Sequence, residues 1–155
     1  MKLFQIEEPD GGPADPHAPG AAIGIGAGGV RAEVAFSVGG NAILLDDREG
    51  FEEGLPVPAM AAGTAAWQEL FEGARMRAER ALARPVTHAV ILLAATPDAD
   101  TARRLRQAAD HAGLAILRLT SPEELTAGYA PALAAAMLAE DLAPRAEYDA
   151  LADPG

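Results

Sequence analysis

The spacing of apolar and polar residues predicts three short strands near the start of the chain. Ala21–Ala27 is a continuous apolar run, and Val30–Val38 alternates with a period of two, which is typical of a strand with one buried face. The positions predicted to face inward are Val30, Ala32, Val34, Phe36 and Val38. Because Gly39–Gly40 suits a tight turn into a third strand, Ala42–Leu45, we expect these segments to pair as a meander.

Helical periodicity follows in the second part of the chain. The first predicted helix has Thr64 as its N-cap and ends before Pro85, and its apolar residues recur every three or four positions. Its inner stripe consists of Trp67, Leu70, Phe71, Ala74, Ala78, Ala81 and Leu82. The second predicted helix begins at Thr96–Pro97, as N-cap and first helical position, and ends at Gly113.

A third predicted helix opens with the capping box Ser121–Glu124 and continues to about Leu142. Two further strands, Ala89–Ala95 and Leu114–Leu119, are predicted between the helices. The first is a continuous apolar run, which is typical of a strand buried on both faces. Right-handed crossovers place these two strands parallel to the first strand. The predicted fold class is therefore α/β: a single ribonuclease-H-like, actin-like subdomain with a five-stranded mixed sheet and about three helices.

The pattern predicts one domain between two irregular ends. Residues 1–20 form the predicted flexible leader, because Pro9–Gly20 is rich in proline and glycine. Residues 21–143 form the predicted subdomain, and residues 144–155 are expected to form a frayed tail. Within the domain, the acidic segment Asp46–Gly63 is expected to be the longest irregular connection.

The charge and the cysteine content of the chain limit the kinds of partner and site that it can have. The chain has 23 acidic and 12 basic residues and a net charge of -11, which repels phosphate backbones and anionic lipid. We therefore expect neither nucleic acid nor a membrane surface as a partner. The absence of cysteine excludes disulfides and cysteine-ligated metal sites. With no apolar run of membrane-spanning length and no apolar signal segment at the N-terminus, a cytoplasmic protein is expected.

The leader Leu3–Pro9, followed by Pro16–His17, has a distinctive sequence, and six further stretches follow it in order. These stretches are Ala22–Ile25, Leu45–Gly50, Arg84–Ile91, Ala112–Arg118, Pro122–Glu124 and Ala130–Leu142. In this order they resemble the base of lobe I of the Hsp70 ATPase domain. The leader is similar to that of the specialised Hsp70 that serves iron–sulfur cluster assembly. The resemblance implies an actin-like fold, a chaperone ancestry and a link with iron–sulfur protein maturation.

Departures from the family pattern imply that catalysis is lost. Where the family has an Asp that helps to hold hydrated magnesium, this chain has Gly26, and two phosphate-contacting threonines are replaced by Gly29 and Val30. The family's lysine from an inserted subdomain has no counterpart, since Lys2 is the only lysine. The second lobe also has no counterpart. Phosphoryl transfer depends on a metal and on fixed positive charge, so we expect no enzyme and no cofactor, with ATP and magnesium as the doubtful exception.

The glycine-rich run Gly24–Gly29 leaves two interpretations open. A dinucleotide-binding motif needs a helix after the glycine turn, but an alternating strand follows here, so that class is excluded. One remaining interpretation is a plain hairpin turn. The other is a residual phosphate site that uses the backbone N–H groups of the turn and is completed by a partner chain. Its candidate residues are Gly26, Ala27, Gly28 and Gly29.

Other polar residues have structural explanations. His17, His88 and His111 are scattered without the spacing of metal ligands, so no metal site is predicted. Thr96 and Ser121 are explained as helix caps. The acidic residues between positions 46 and 53 are explained as a solvated loop, with a divalent-cation cluster as the alternative.

Partner-binding residues are predicted where the family's insert and second lobe would cover the domain. Core packing is the default for the predicted inner stripe, but part of it lies next to the place of the insert. The Ala-rich helix is the second candidate surface. The candidate partner residues are Trp67, Phe71, Leu125, Tyr129 and Leu133. The expected function is a non-catalytic interaction, adaptor or modulator module that binds a protein or a second copy. The alternatives are the residual nucleotide-binding domain and, last, an actin-like phosphotransferase.

Overall fold

The computed structural model describes residues 20–45, 55–124 and 130–143. The predicted leader up to residue 19, the tail from residue 144 and part of the acidic connection lie outside these ranges. The described chain contains six strands and three helices. The strands are β1 (Ala21–Ala27), β2 (Arg31–Val38), β3 (Asn41–Leu44), β4 (Leu55–Pro56), β5 (Val86–Leu93) and β6 (Ala115–Thr120). The helices are α1 (Thr64–Leu82), α2 (Ala99–His111) and α3 (Pro131–Leu142), with a 3₁₀ turn at Pro122–Glu124.

The sheet order confirms the predicted fold class. Strands β1, β2 and β3 form an antiparallel meander, and β5 and β6 run parallel to β1, which gives the order β3-β2-β1-β5-β6. This is the mixed sheet of a ribonuclease-H-like, actin-like subdomain. The short strand β4 was not predicted, because its segment reads as irregular. It pairs with Arg31 and Ala32 of β2, along the part of that strand which β3 leaves open.

Helices cover the sheet on both faces. On one face, α1 and α2 pack over β1, β5 and the first half of β2, around a core that includes Trp67, Phe71 and Leu105. On the other face, α3 lies across β1, β2 and β5. Among the described residues, no helix is long and apolar enough to cross a membrane.

Strand β2 departs from the predicted single buried face. Ala35 and Ser37, predicted to face outward, are buried because α3 covers that side of the strand. Val30 and Val38, predicted to face inward, are 84% and 59% exposed. Val30 precedes the strand and Val38 ends it, so neither lies beneath the helices. Burial on both faces replaces the alternation that the sequence suggests.

The predicted helix starts need correction. Gly63, not Thr64, occupies the N-cap of α1, and no side chain caps that helix. Asp98, not Thr96, caps α2, because its carboxylate accepts a hydrogen bond of 2.7 Å from the Thr101 N–H. This backbone hydrogen bond lowers the pKa of the Asp98 carboxyl. The predicted ends hold: α1 stops before Pro85, and Gly113 follows α2 with a positive φ of 86°.

The predicted long third helix is wrong in its first part. Residues Pro122–Glu124 form a 3₁₀ turn, and the α-helix begins at Pro131. Ala130 has an extended conformation, with φ -59° and ψ 146°, as expected of a residue that precedes proline. The carboxylates of the supposed capping box bond to nearby hydroxyl groups instead, as described below.

Helix α3 lies unusually close to β1, because glycine and alanine residues form the contact. A Cβ atom added at Gly24 would lie 2.2 Å from the Ala136 nitrogen, closer than any side chain permits. At Gly26, a Cβ atom would lie 3.3 Å from the Cβ atom of Ala132. The helix side of this contact consists of Ala132, Ala135, Ala136 and Ala139. Because Gly24 and Gly26 have no side chain, the backbone of α3 can approach β1 closely.

The far end of α3 is fixed to the β2–β3 turn. Its Glu140 carboxylate accepts hydrogen bonds from the Ser37 hydroxyl at 2.7 Å, from the Gly39 N–H at 2.5 Å and from the Gly40 N–H at 3.1 Å. Both glycines have positive φ, 61° and 83°, as the tight hairpin turn requires. One carboxylate thus joins the helix to two strands.

Candidate functional site

A pocket opens at the carboxyl ends of β1 and β5, where open α/β sheets bind their ligands. Its volume is about 470 Å³. The lining residues come from the glycine turn, from β2, from the ends of β5 and β6, and from the start of α3. They are Gly26, Gly28, Gly29, Arg31, Glu33, Leu92, Ala94, Pro122 and Pro131.

The predicted phosphate-binding residues meet this pocket unequally. Gly26 and Ala27 are buried, Gly26 beneath Ala132 and Ala27 in the core on the α1 side of the sheet. Gly28 and Gly29 are exposed, and a Cβ atom added at Gly29 would meet no atom within 4 Å. Two of the four residues therefore offer an open backbone.

Charge in the pocket is balanced. Among the described residues that line it, Arg31 is the cation and Glu33 is the anion, and both lie on β2 with exposed side chains. Glu123 and Glu124 follow the lining residue Pro122, and their carboxylates bond to nearby hydroxyl groups. A polyphosphate needs a net positive surround, which this arrangement does not provide.

A hydroxyl–carboxylate cluster lies beside the pocket at the ends of β5 and β6. Glu124 accepts a hydrogen bond of 3.2 Å from the Thr120 hydroxyl and one of 3.3 Å from the Thr96 hydroxyl. The hydroxyl groups of Thr96 and Ser121 are 3.2 Å apart, and the Ser121 hydroxyl lies 3.5 Å from a carboxylate oxygen of Glu123. Thr120 and Ser121 are buried. These bonds join the two strand ends.

The sequence did not predict this cluster, because Thr96 and Ser121 match helix-capping motifs and were interpreted as caps. The positions of these residues in the sequence could have predicted it. Each hydroxyl residue follows or ends a predicted parallel strand, and the carboxyl ends of parallel strands meet at one edge of the sheet. No group of three or more potential metal ligands occurs within the described ranges.

The two histidines within the described residues, His88 and His111, lie on different elements. His88 lies on β5, and its Nδ1 atom is 2.7 Å from the Thr87 hydroxyl. Partial burial lowers the pKa of the His88 imidazole. His111 ends α2, and His17 lies outside the described residues.

Two of the predicted partner residues, Trp67 and Phe71, lie in the core and not on a surface. Trp67 and Phe71 are 1% and 0% exposed, their ring centroids are 5.9 Å apart, and the Trp67 indole N–H donates to the Ala59 carbonyl. The connection before α1 thus covers the position that was expected to be open. Leu133 is half-buried beside Ala35, while Leu125 and Tyr129 lie outside the described residues.

The exposed large apolar side chains lie elsewhere. Within the described ranges they are Val30, Val38, Ile43, Leu44 and Met76. Three of them belong to the β2–β3 hairpin. A separate apolar groove of about 460 Å³ lies between the segment Leu55–Pro58 and α1.

Comparison with known proteins finds similar solved structures but no matching sequence. No protein-family model and no curated protein sequence matches the chain. A solved structure that it resembles is the ethanolamine utilization protein EutJ from Carboxydothermus hydrogenoformans. The two are 16% identical, with a TM-score of 0.41, and the match covers 71% of this chain and 39% of that one. The matched region thus spans less than half the length of EutJ.

Proposed function

We propose that this chain is a non-catalytic module of the actin-like fold that acts by binding a protein, as an adaptor or modulator. The observation that carries the proposal is the pocket at the carboxyl ends of β1 and β5. Its one lining cation among the described residues, Arg31, is countered by the lining anion Glu33. A site of this charge gives little stabilisation to a transferring phosphoryl group.

The packing of α3 supports the same conclusion. The position at which the Hsp70-like pattern places its magnesium-holding Asp is Gly26, and Ala132 of α3 lies within 3.4 Å of where its Cβ atom would be. Space near the metal-binding position is therefore used for helix packing. The alternative, a residual nucleotide- or phosphate-binding domain completed by a partner chain, is favoured by one observation, the exposed turn Gly28–Gly29 beside Arg31.

Calorimetric titration of the purified protein with ATP and magnesium separates the two functions. For the non-catalytic module we expect no binding in the micromolar range, because the pocket lacks net positive charge. Saturable binding that Arg31→Ala weakens, while Arg84→Ala leaves it unchanged, would support the alternative. Arg84 suits the control because it is exposed and does not line the pocket.

A finer proposal links the module to iron–sulfur protein maturation. It rests on the resemblance of the leader Leu3–Pro9 to that of the specialised Hsp70. We expect the full chain to associate with purified iron–sulfur assembly proteins, and a chain without residues 1–19 to lose that association. Equal binding by both forms, or by neither, would remove the link and leave the non-catalytic assignment untouched.

A further inference from the structure

The β2–β3 hairpin carries a concentration of exposed apolar side chains. Val38, Ile43 and Leu44 are 59%, 58% and 45% exposed. The pairing register places Val38 and Ile43 on one face of the hairpin and Leu44 on the other, so exposed apolar residues lie on both faces beside the edge. The hairpin thus differs from α1, whose exposed large apolar residue, among the described ones, is Met76.

Within the described residues, the hairpin also forms one end of the sheet. Strand β3 pairs with β2 on one side, and no strand of the described chain pairs with its other side. Proteins usually guard such edges with charges, prolines or bulges. Strand β3 (sequence NAIL) has no charged residue and no proline, and its pairing with β2 has no register shift.

The opposite edge of the sheet shows the protection that β3 lacks. Strand β6 contains the charged residue Arg118, and the Arg106 guanidinium of α2 donates a hydrogen bond of 3.0 Å to the Ile116 carbonyl. Two cations therefore stand at that edge. The contrast singles out β3 as the edge open to strand addition.

We infer that the occupant of the β3 edge is a second copy of this chain, paired in antiparallel orientation about a two-fold axis. Residues 35–45 contain no charged residue in a chain of net charge -11. A charged partner would find no opposite charge on the strand, whereas a second copy brings the same neutral, apolar strand. The inference names the partner of the proposed interaction module and so rests on that function.

The side-chain alternation of β3 permits a self-complementary register. Ile43 of one copy lies opposite Ile43 of the other, and Ala42 lies opposite Leu44, so that directly opposed residues share a face of the joined sheet. Isologous pairing of this kind closes as a dimer. Because both copies are acidic, their mutual repulsion opposes association and is screened by salt.

Sedimentation equilibrium of the full chain tests the inference. We expect the mass to rise from the 15.9 kDa of one chain toward twice that value between micromolar and millimolar concentration, and at lower concentration when salt is added. Ile43→Lys should weaken the dimer by about tenfold or more, since like charges would then face each other across the axis. Met76→Lys, an equally exposed substitution on α1, should leave it unchanged.

Several results would overturn the dimer. One is a monomer at every concentration and salt level, which would leave the edge to a different protein. Another is equal weakening by Ile43→Lys and Met76→Lys. Matching unfolding midpoints of the two variants show that weakening by Ile43→Lys does not reflect unfolding. Binding of ATP would favour the nucleotide-binding alternative over the protein-binding module without changing whether the chain sediments as a monomer or a dimer, so the two proposals can fail separately.

Discussion

Gly24→Ala is expected to lower the free energy of unfolding by about 3 kcal/mol, the largest effect that we predict for one methyl group in this chain. The added Cβ atom would lie 2.2 Å from the Ala136 nitrogen and 2.6 Å from the Ala135 carbonyl carbon. These are backbone atoms, so no side-chain rotation relieves the clash. Helix α3 as a whole must move away from β1, which also loosens its contacts with β2 and β5.

Two other glycines provide graded controls. Gly26→Ala should cost about 1 kcal/mol, because its Cβ atom would lie 3.3 Å from Ala132 and needs a small adjustment. Gly29→Ala should change the stability by less than about 0.5 kcal/mol, since nothing lies within 4 Å. Denaturant unfolding followed by the fluorescence of Trp67, the single tryptophan, measures all three. Equal stability of Gly24→Ala and Gly29→Ala would contradict the close packing of α3.

Glu140→Ala is expected to lower the free energy of unfolding by about 2 kcal/mol. The substitution removes the carboxylate that accepts hydrogen bonds from the Ser37 hydroxyl and from two turn amides, Gly39 and Gly40. The Ser37 side chain is buried and would lose this acceptor, and a donor deprived of its partner costs more than the bond itself contributes.

Neighbouring substitutions isolate this interaction. Glu140→Gln keeps an oxygen acceptor without the charge and should cost about half as much, since charge-assisted hydrogen bonds are roughly twice as strong as neutral ones. Asp141→Ala alters an exposed acid at the next position of the same helix and should change the stability by less than about 0.5 kcal/mol. If Glu140→Ala and Asp141→Ala had the same effect, the helix-to-turn connection would contribute nothing measurable.

The sequence predicts the sheet well because its strands are marked by strong local signals. The apolar run of β1, the Gly39–Gly40 turn and the two later strand segments define five strands, and right-handed crossovers predict that the later two run parallel to the first. Strand β4 escapes prediction because two residues show no periodicity. Its pairing depends on the stretch of β2 that β3 leaves free, which is a property of the assembled sheet.

The candidate site is harder to predict, because it depends on which helices pack against which face of the sheet. The sequence brings Gly28 and Gly29 to a strand end, but it does not show that α3 covers Gly26 on the far face. The start of α3 was misplaced because Ser121–Glu124 matches a capping box, whereas the Ser121 hydroxyl and the Glu124 carboxylate both bond to the Thr96 hydroxyl after the neighbouring strand. For Trp67 and Phe71 the sequence pattern was the better guide. Their helical spacing correctly predicts that they lie in the core, and only the comparison with the Hsp70 insert suggested that they form a surface.

The junctions on either side of residues 46–54 have a consequence for engineering. The Leu45 N–H bonds to the Val34 carbonyl, and Leu55 pairs with Ala32, so the connection leaves and rejoins the sheet two residues apart on one strand. That separation is roughly 7 Å along β2. A guest domain whose termini lie about that far apart could be inserted here without changing the order of the strands. The entropic cost of closing a loop rises only slowly with its length, so a longer connection would be tolerated. The connection between Leu45 and Leu55 is therefore a suitable site for the insertion of a further domain.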